Sequence, residues 1–241
     1  MTSEKSKGSI PSRPEIPLGG IMEHVSRGGR RDVWKVQGKD GKWYAVSFHH
    51  DALISRSAAE KVRDAYIKCH LALERYFSKM DTDIIVPSWW DIQEGERGHG
   101  KIYTIEQIQP FVEGVDLFSP LLDNYMAGMQ TSQRQAALSN IRNFLIMLRR
   151  MPRDFDQKNI GTTLDITGPG NVFLTGDGSI RIVDATTVNR PQVGDPNPLR
   201  ILPEEMRLGD IIAADISQTR QRFSQLRTSY KRLRANSSDN S

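Results

Sequence analysis

The chain has 241 residues, 37% hydrophobic and 26% charged, with a formal net charge of +4 and a sequence pI near 9.2. That length suits one large or two small domains with a sizeable buried core, and the composition is that of an ordinary, slightly polar soluble chain. No apolar run approaches a membrane span, the N-terminal MTSEKSKGSIPSRPE lacks the apolar stretch of a signal peptide, and a lone Cys69 cannot form an internal disulfide. These features lead us to expect a cytoplasmic protein.

Residues 1–17 are dominated by Ser, Lys, Pro and Gly and are expected to be disordered. Val33–Val36 and Trp43–Phe48 flank Gly38-Lys39-Asp40-Gly41, which reads as a hairpin. Ser57–Met80 is helix-like, with Val62, Ala65, Tyr66, Cys69, Leu73 and Phe77 at helical spacing. Cys69 on that apolar face reads as core packing. An apolar run follows at Ile84-Ile85-Val86-Pro87, then a charged, Gly-containing turn over 94–100, then a strand from Lys101 to Ile108. Thr131–Arg150 is helical through Ala137, Ile141, Phe144, Leu145 and Leu148. Asn171–Leu174 and Ser179–Val183 form a second hairpin around Thr175-Gly176-Asp177-Gly178. The chain is Pro-rich up to Pro203, and a final helix is expected from about Asp210 to Arg234. Arg220, Arg222, Arg227, Lys231, Arg232 and Arg234 have no acid between them. Such a run suits a phosphate-rich or acidic partner, or simply a solvated helix face.

The chemistry concentrates in the second hairpin. Asp165 leads into a tight loop that ends at Asn171, and Asp184 ends the second strand. A hairpin brings its two ends together, so an amide carbonyl and a carboxylate there can share one hard cation such as Mg²⁺. Asp165 on the adjoining loop could orient a hydroxyl for attack on a phosphoryl group.

This segment resembles the catalytic loop and metal-binding segment of protein kinases and of the related aminoglycoside and small-molecule kinases. The phrase Pro169-Gly170-Asn171-Val172-Phe173-Leu174 looks most like the small-molecule branch. The resemblance implies that Asn171 and Asp184 hold the metal and that Asp165 is catalytic. It also makes Tyr44-Ala45-Val46-Ser47 the strand that carries the phosphate-gripping lysine, and Glu74 the helix glutamate. Ile105-Glu106 through Phe111-Val112-Glu113-Gly114-Val115-Asp116-Leu117 becomes the hinge. It covers roughly Ile21 to Asp184, and the order of the motifs carries it. The implied fold is α+β: a two-lobed kinase-like domain with a reduced helical C-lobe, because only about 57 residues follow Asp184. The expected division is N-lobe 18–110, C-lobe 111–209 and a basic helix and tail 210–241. ATP and Mg²⁺ are the implied cofactors, and the phosphoryl acceptor is an unnamed protein or small molecule.

The departures are specific. Ser47 stands at the lysine position and supplies no charge. Asp165 lies one residue further from Asn171 than the family spacing, with Thr163 at the loop-histidine position. Ala185 and Thr186 follow Asp184 in place of Phe-Gly. Ser26, Gly28, Arg31 and Val33 fall where the loop's three glycines and its valine would fall, so only Gly28 matches as glycine. In the with-no-lysine kinases a cation from that loop replaces the strand lysine, and Arg31 or Arg30 could do the same. The bland alternatives are exposed turn arginines, a turn Asn171, a strand-end Asp184 and a solvated Glu74. Asp154 and Asp156, placed just after the helix, rival Asp165, and Glu60 rivals Glu74. His49 and His50 lack zinc spacing, and Trp89 and Trp90 read as packing. Two functions remain: an ATP-dependent phosphotransferase, or a pseudokinase that binds nucleotide or a partner without turnover. No recognisable nucleic-acid motif supports a third reading built on the basic helix.

Overall fold

The computed structural model describes residues 12–17, 20–27, 31–49, 52–78, 84–97, 100–157, 170–183 and 208–238. Within them the chain is a mixed α+β protein with two antiparallel sheets. The larger sheet has five strands: β1 (Met22–Arg27), β2 (Arg31–Gln37), β3 (Trp43–His49), β4 (Trp89–Arg97) and β5 (Gly100–Pro110), in the order β1-β2-β3-β5-β4. Helix α1 (Arg56–Phe77) lies in sequence between β3 and β4.

The expected β2–β3 hairpin is present, with Gln37 opposite Trp43. Gly41 takes φ 78°, a left-handed turn geometry that glycine adopts without strain. Asp40 completes the turn by accepting from the Lys42 amide and the Tyr44 hydroxyl, at 3.1 and 2.7 Å. The Tyr44 hydroxyl holds the Asp40 carboxyl below its ordinary value, while burial and then Asp40 push the Tyr44 phenol up to about 12.

Period-2 alternation gives the sheet two different faces. The outer face packs Val36, Tyr44, Val46 and Ile108 with Trp34, Phe48, Trp89 and Ile16. The inner face packs Ile105, Trp90, Ile92 and Tyr103 against Ala59, Val62 and Tyr66 of α1. Trp89 and Trp90 thus both pack, on opposite faces. Ser55 caps α1 by accepting the Ala58 amide at 3.2 Å.

The smaller sheet is β6 (Val115–Asp116), β7 (Val172–Leu174) and β8 (Ile180–Ile182), in the order β6-β7-β8. Helices α2 (Leu122–Ala127), α3 (Thr131–Gln157) and α4 (Leu208–Ser238) complete the described elements. The largest core joins Leu73, Tyr76 and Phe77 of α1 to Ile141 and Phe144 of α3. It extends to Val172, Leu174, Ile180 and Ile182 of the hairpin and to Leu226 and Leu233 of α4. Ile84 and Ile85 enter it too. The Ile182 amide donates to the Ile84 carbonyl at 2.7 Å, and the Val86 amide to the Ile182 carbonyl at 3.0 Å.

Several expectations need correction. Residues 12–17 belonged to the segment expected to be disordered, yet they run along the outer face. Arg13 pairs with Asp91 and Glu106, each at 2.6 Å, and Ile16 packs beside Val36 and Tyr44. The charged stretch 94–100 is not one long turn, because β4 and β5 pair out to Arg97 opposite Gly100. Helix α3 continues past Arg150 to Gln157, so Asp154 and Asp156 lie within it and not after it. Strand β1, strand β6 and helix α2 had no clear pattern. In β1 the residues Met22 to Ser26 are exposed on both faces, so no apolar alternation marks the strand.

Candidate functional site

The inner face of the large sheet continues beyond α1, and there its character changes. The register sets Val33 opposite Ser47 and Ser47 opposite Gln107; Lys35 lies opposite Ala45, and Ala45 opposite Gln109. Arg31, Val33 and Lys35 of β2 therefore share a face with Ala45 and Ser47 of β3 and with Gln107 and Gln109 of β5. Ser47, Gln107 and Gln109 are all buried. Buried polar side chains require partners, and two of these partners define the site.

Arg31 opens β2, opposite His49. Its Nη1 reaches across β3 and donates to Gln107 Oε1 at 2.7 Å. The guanidinium thus lies over the row that holds Ser47. At the other end of the face, the Lys35 ammonium sits over the rings of Trp43 and Phe111, 5.0 and 4.5 Å from their centroids, and 3.6 Å from Glu113.

Gln109 joins the sheet to the β7–β8 hairpin. Its amide donates to Ser88 Oγ and to the Val183 carbonyl. Val183 in turn donates its amide to the Asn171 carbonyl at 3.0 Å, closing the open end of the hairpin. Asn171 is buried. The turn before it is fixed by Gly170, at φ 78°, whose amide donates to Asp116 Oδ2; Asp116 Oδ1 accepts the Phe118 amide at 2.7 Å. At the far end of the hairpin Asp177 accepts from Thr175 Oγ1 at 2.5 Å and from the Ser179 amide at 3.0 Å. These bonds, the Thr175 hydroxyl first, hold the Asp177 carboxyl below its ordinary range.

The structure therefore brings Arg31, Val33, Ala45 and Ser47 onto one face and connects that face to Asn171 through Gln109 and Val183. It does not bring Glu74 there, for that side chain is exposed on α1. Glu60 pairs with Arg56 of its own helix at 3.3 Å. Gly28, Arg30, Thr163, Asp165, Asp184, Ala185 and Thr186 lie outside the described residues. Asp184 follows Val183 directly in the chain. The oxygen donors of Asn171 and Asp184 are the class that Mg²⁺ prefers, although the described residues hold no group of three or more His, Cys, Asp or Glu suited to a metal.

Sequence reasoning missed Gln107, Gln109 and His70. A signal for the first two was present: Tyr103, Ile105, Gln107 and Gln109 share the inner face, and the strand switches there from apolar residues to amides. His70 is buried on α1, edge-on to Trp90 with ring centroids 5.0 Å apart, and burial lowers its pKa to about 4.

The basic run on α4 divides by role. Phe223, Leu226, Tyr230 and Leu233 form the stripe that enters the core. Arg222 lies 5.3 Å from the Phe118 ring centroid and Arg232 pairs with Asp123 at 2.6 Å, while Arg227 and Lys231 are exposed.

The chain matches no family model and no curated protein sequence. Among solved structures it is similar to the apo form of a pseudokinase, with 15% identity, coverage of 90% of this chain and 91% of that chain, and a TM-score of 0.39. At that level the likeness assigns neither a family nor a role to any residue. No helix among the described residues is long and apolar enough to cross a membrane.

Proposed function

We propose that the chain is a kinase-like nucleotide-binding protein that takes ATP with Mg²⁺ on the inner face of the large sheet and transfers a phosphoryl group to a hydroxyl. Residues 18–110 form its N-lobe and 111–209 its reduced C-lobe. Five strands with one helix between the third and fourth, followed by a short hairpin bearing Asn171, agree with what the sequence resemblance implies.

The observation that carries this reading is the reach of Arg31 across Ser47 to Gln107. The family places a lysine on this strand to balance phosphate charge. Here Ser47 has no charge, but the Arg31 guanidinium crosses β3 on the same face to reach Gln107, the residue opposite Ser47, and a guanidinium is suited to phosphate oxygens. Gly28 in the β1–β2 connection would let the backbone approach the phosphates. Val33 and Ala45 would supply apolar surface on the same face. Asn171 and Asp184 would hold Mg²⁺, which offsets phosphate charge when bound. Asp165 would orient the acceptor hydroxyl. The outward cations of α4, Arg227 and Lys231 among them, are the surface for a phosphate-rich or acidic partner.

A specific observation favours the second reading, a pseudokinase. Glu74 is exposed and Ser47 is uncharged, so the family's lysine–glutamate pair has no counterpart at these positions. Thermal unfolding with ATP, with and without Mg²⁺, tests the proposal. Ligand at about 100 times its Kd adds roughly 2.7 kcal/mol to the native state. The native protein should gain Mg²⁺-dependent stability that Asp184→Ala loses. No shift with ATP overturns nucleotide binding, an unchanged shift in Asp184→Ala overturns the metal assignment, and a shift without turnover on any acceptor leaves the pseudokinase.

A further inference from the structure

Gln107 is 4% exposed, in the middle of β5, on the face where Tyr103 and Ile105 pack against α1. An apolar residue would continue that stripe. An amide buried without a partner costs about 1–3 kcal/mol, so a glutamine at this point needs its hydrogen bonds. One is with Arg31, at 2.7 Å. The two residues are not neighbours. Arg31 stands opposite His49 on β2, and Gln107 stands opposite Ser47 on β5, with β3 between them. Strands lie about 4.8 Å apart, so the arginine and glutamine side chains together bridge roughly 10 Å of sheet. The short side chain of Ser47 leaves that path open, whereas a lysine there would fill it.

We infer that Gln107 is a positioning residue for the phosphate subsite: its side-chain oxygen holds the Arg31 guanidinium over Ser47, where the phosphates of a nucleotide would meet it. The inference rests on the nucleotide-binding reading above. An amide oxygen suits this task because it fixes one N–H without adding negative charge. A glutamate at the same place would orient the arm but offset its charge, and a leucine would do neither.

Calorimetric titration of ATP and of adenosine into the native protein, Gln107→Glu, Gln107→Leu and Arg31→Ala tests it. The native protein should prefer ATP to adenosine. Gln107→Glu should reduce that preference about tenfold, the loss expected for one charge-assisted bond, with adenosine affinity unchanged. Gln107→Leu should do the same if it folds, and Gln107→Glu, close in size, keeps the test alive if it does not. Adding the neutral Gln107→Leu to Arg31→Ala should change the preference no further, since the glutamine acts through the arginine. A native protein with no preference for ATP overturns the nucleotide reading and this inference with it. A native preference that survives in Gln107→Glu, or additive losses in the double variant, overturns the role of Gln107 and leaves the nucleotide reading standing.

Discussion

Acidification should destabilise this protein through His70. The imidazole is 7% exposed, set between α1 and Trp90, and burial lowers its pKa from 6.5 to about 4. The unfolded chain takes up the proton near pH 6.5 and the folded chain resists it until about pH 4. The contribution is therefore complete above pH 6.5 and is lost as pH falls toward 4. The gap corresponds to about 3 kcal/mol, of which about 2 kcal/mol is gone by pH 5. Urea denaturation at pH 7 and pH 5 measures this, with His70→Leu as the reference because it keeps an apolar side chain and removes the titration. The native protein should lose about 2 kcal/mol more than His70→Leu between the two pH values. Every other group is common to the two proteins, so its contribution cancels in the comparison. Equal pH dependence in the two proteins would refute the burial of a neutral His70 against the sheet.

Gly114 lies where a Cβ would run into the Leu174 carbonyl oxygen, so Gly114→Ala must push β6 off β7. It should lose about 1–3 kcal/mol in urea denaturation, and an unchanged midpoint would contradict the pairing of Val115 with Leu174. Leu233→Ala removes a buried anchor of α4 and should lose about 2–5 kcal/mol, whereas a small loss would mean that α4 is not docked in the core. Arg227→Ala with Lys231→Ala should stay within about 0.5 kcal/mol of the native stability and lower salt-sensitive retention on a heparin column. Unchanged retention would remove that face as the anionic surface.

The parts of the fold legible in the sequence were those whose pattern one partner sets. The β2–β3 hairpin showed because Asp40 and Gly41 mark the turn and Val36, Tyr44 and Val46 alternate into one core. Helix α1 showed because one apolar stripe runs along it, Val62 and Tyr66 meeting the large sheet and Leu73 and Phe77 entering the core with α3. Strand β1 was hidden because an edge strand exposed on both faces needs no alternation. Residues 12–17 were misread because their composition is polar and flexible, while their placement comes from Arg13 meeting Asp91 and Glu106, residues 78 and 93 positions away. The site was half legible. Ser47 and Arg31 could be named from the motif order, and the apolar-to-amide switch along β5 marked Gln107, but its tie to Arg31 needed the register that sets it opposite Ser47. Glu74 fitted the motif order and not the helix face, since Leu73 and Phe77 take the buried side and leave it outside.

The measurement that bears most directly on the central claim compares ATP and adenosine binding to Arg31→Ala by titration calorimetry. ATP carries the phosphate charge and adenosine does not. A charge-assisted bond contributes about 1.5–3 kcal/mol, so Arg31→Ala should weaken ATP by about tenfold to more than a hundredfold and leave adenosine nearly unchanged. Ser47→Lys, which restores the strand lysine, should recover part of the loss. Equal weakening of both ligands, or no weakening of either, would show that the Arg31 guanidinium does not serve a phosphate and would contradict the account.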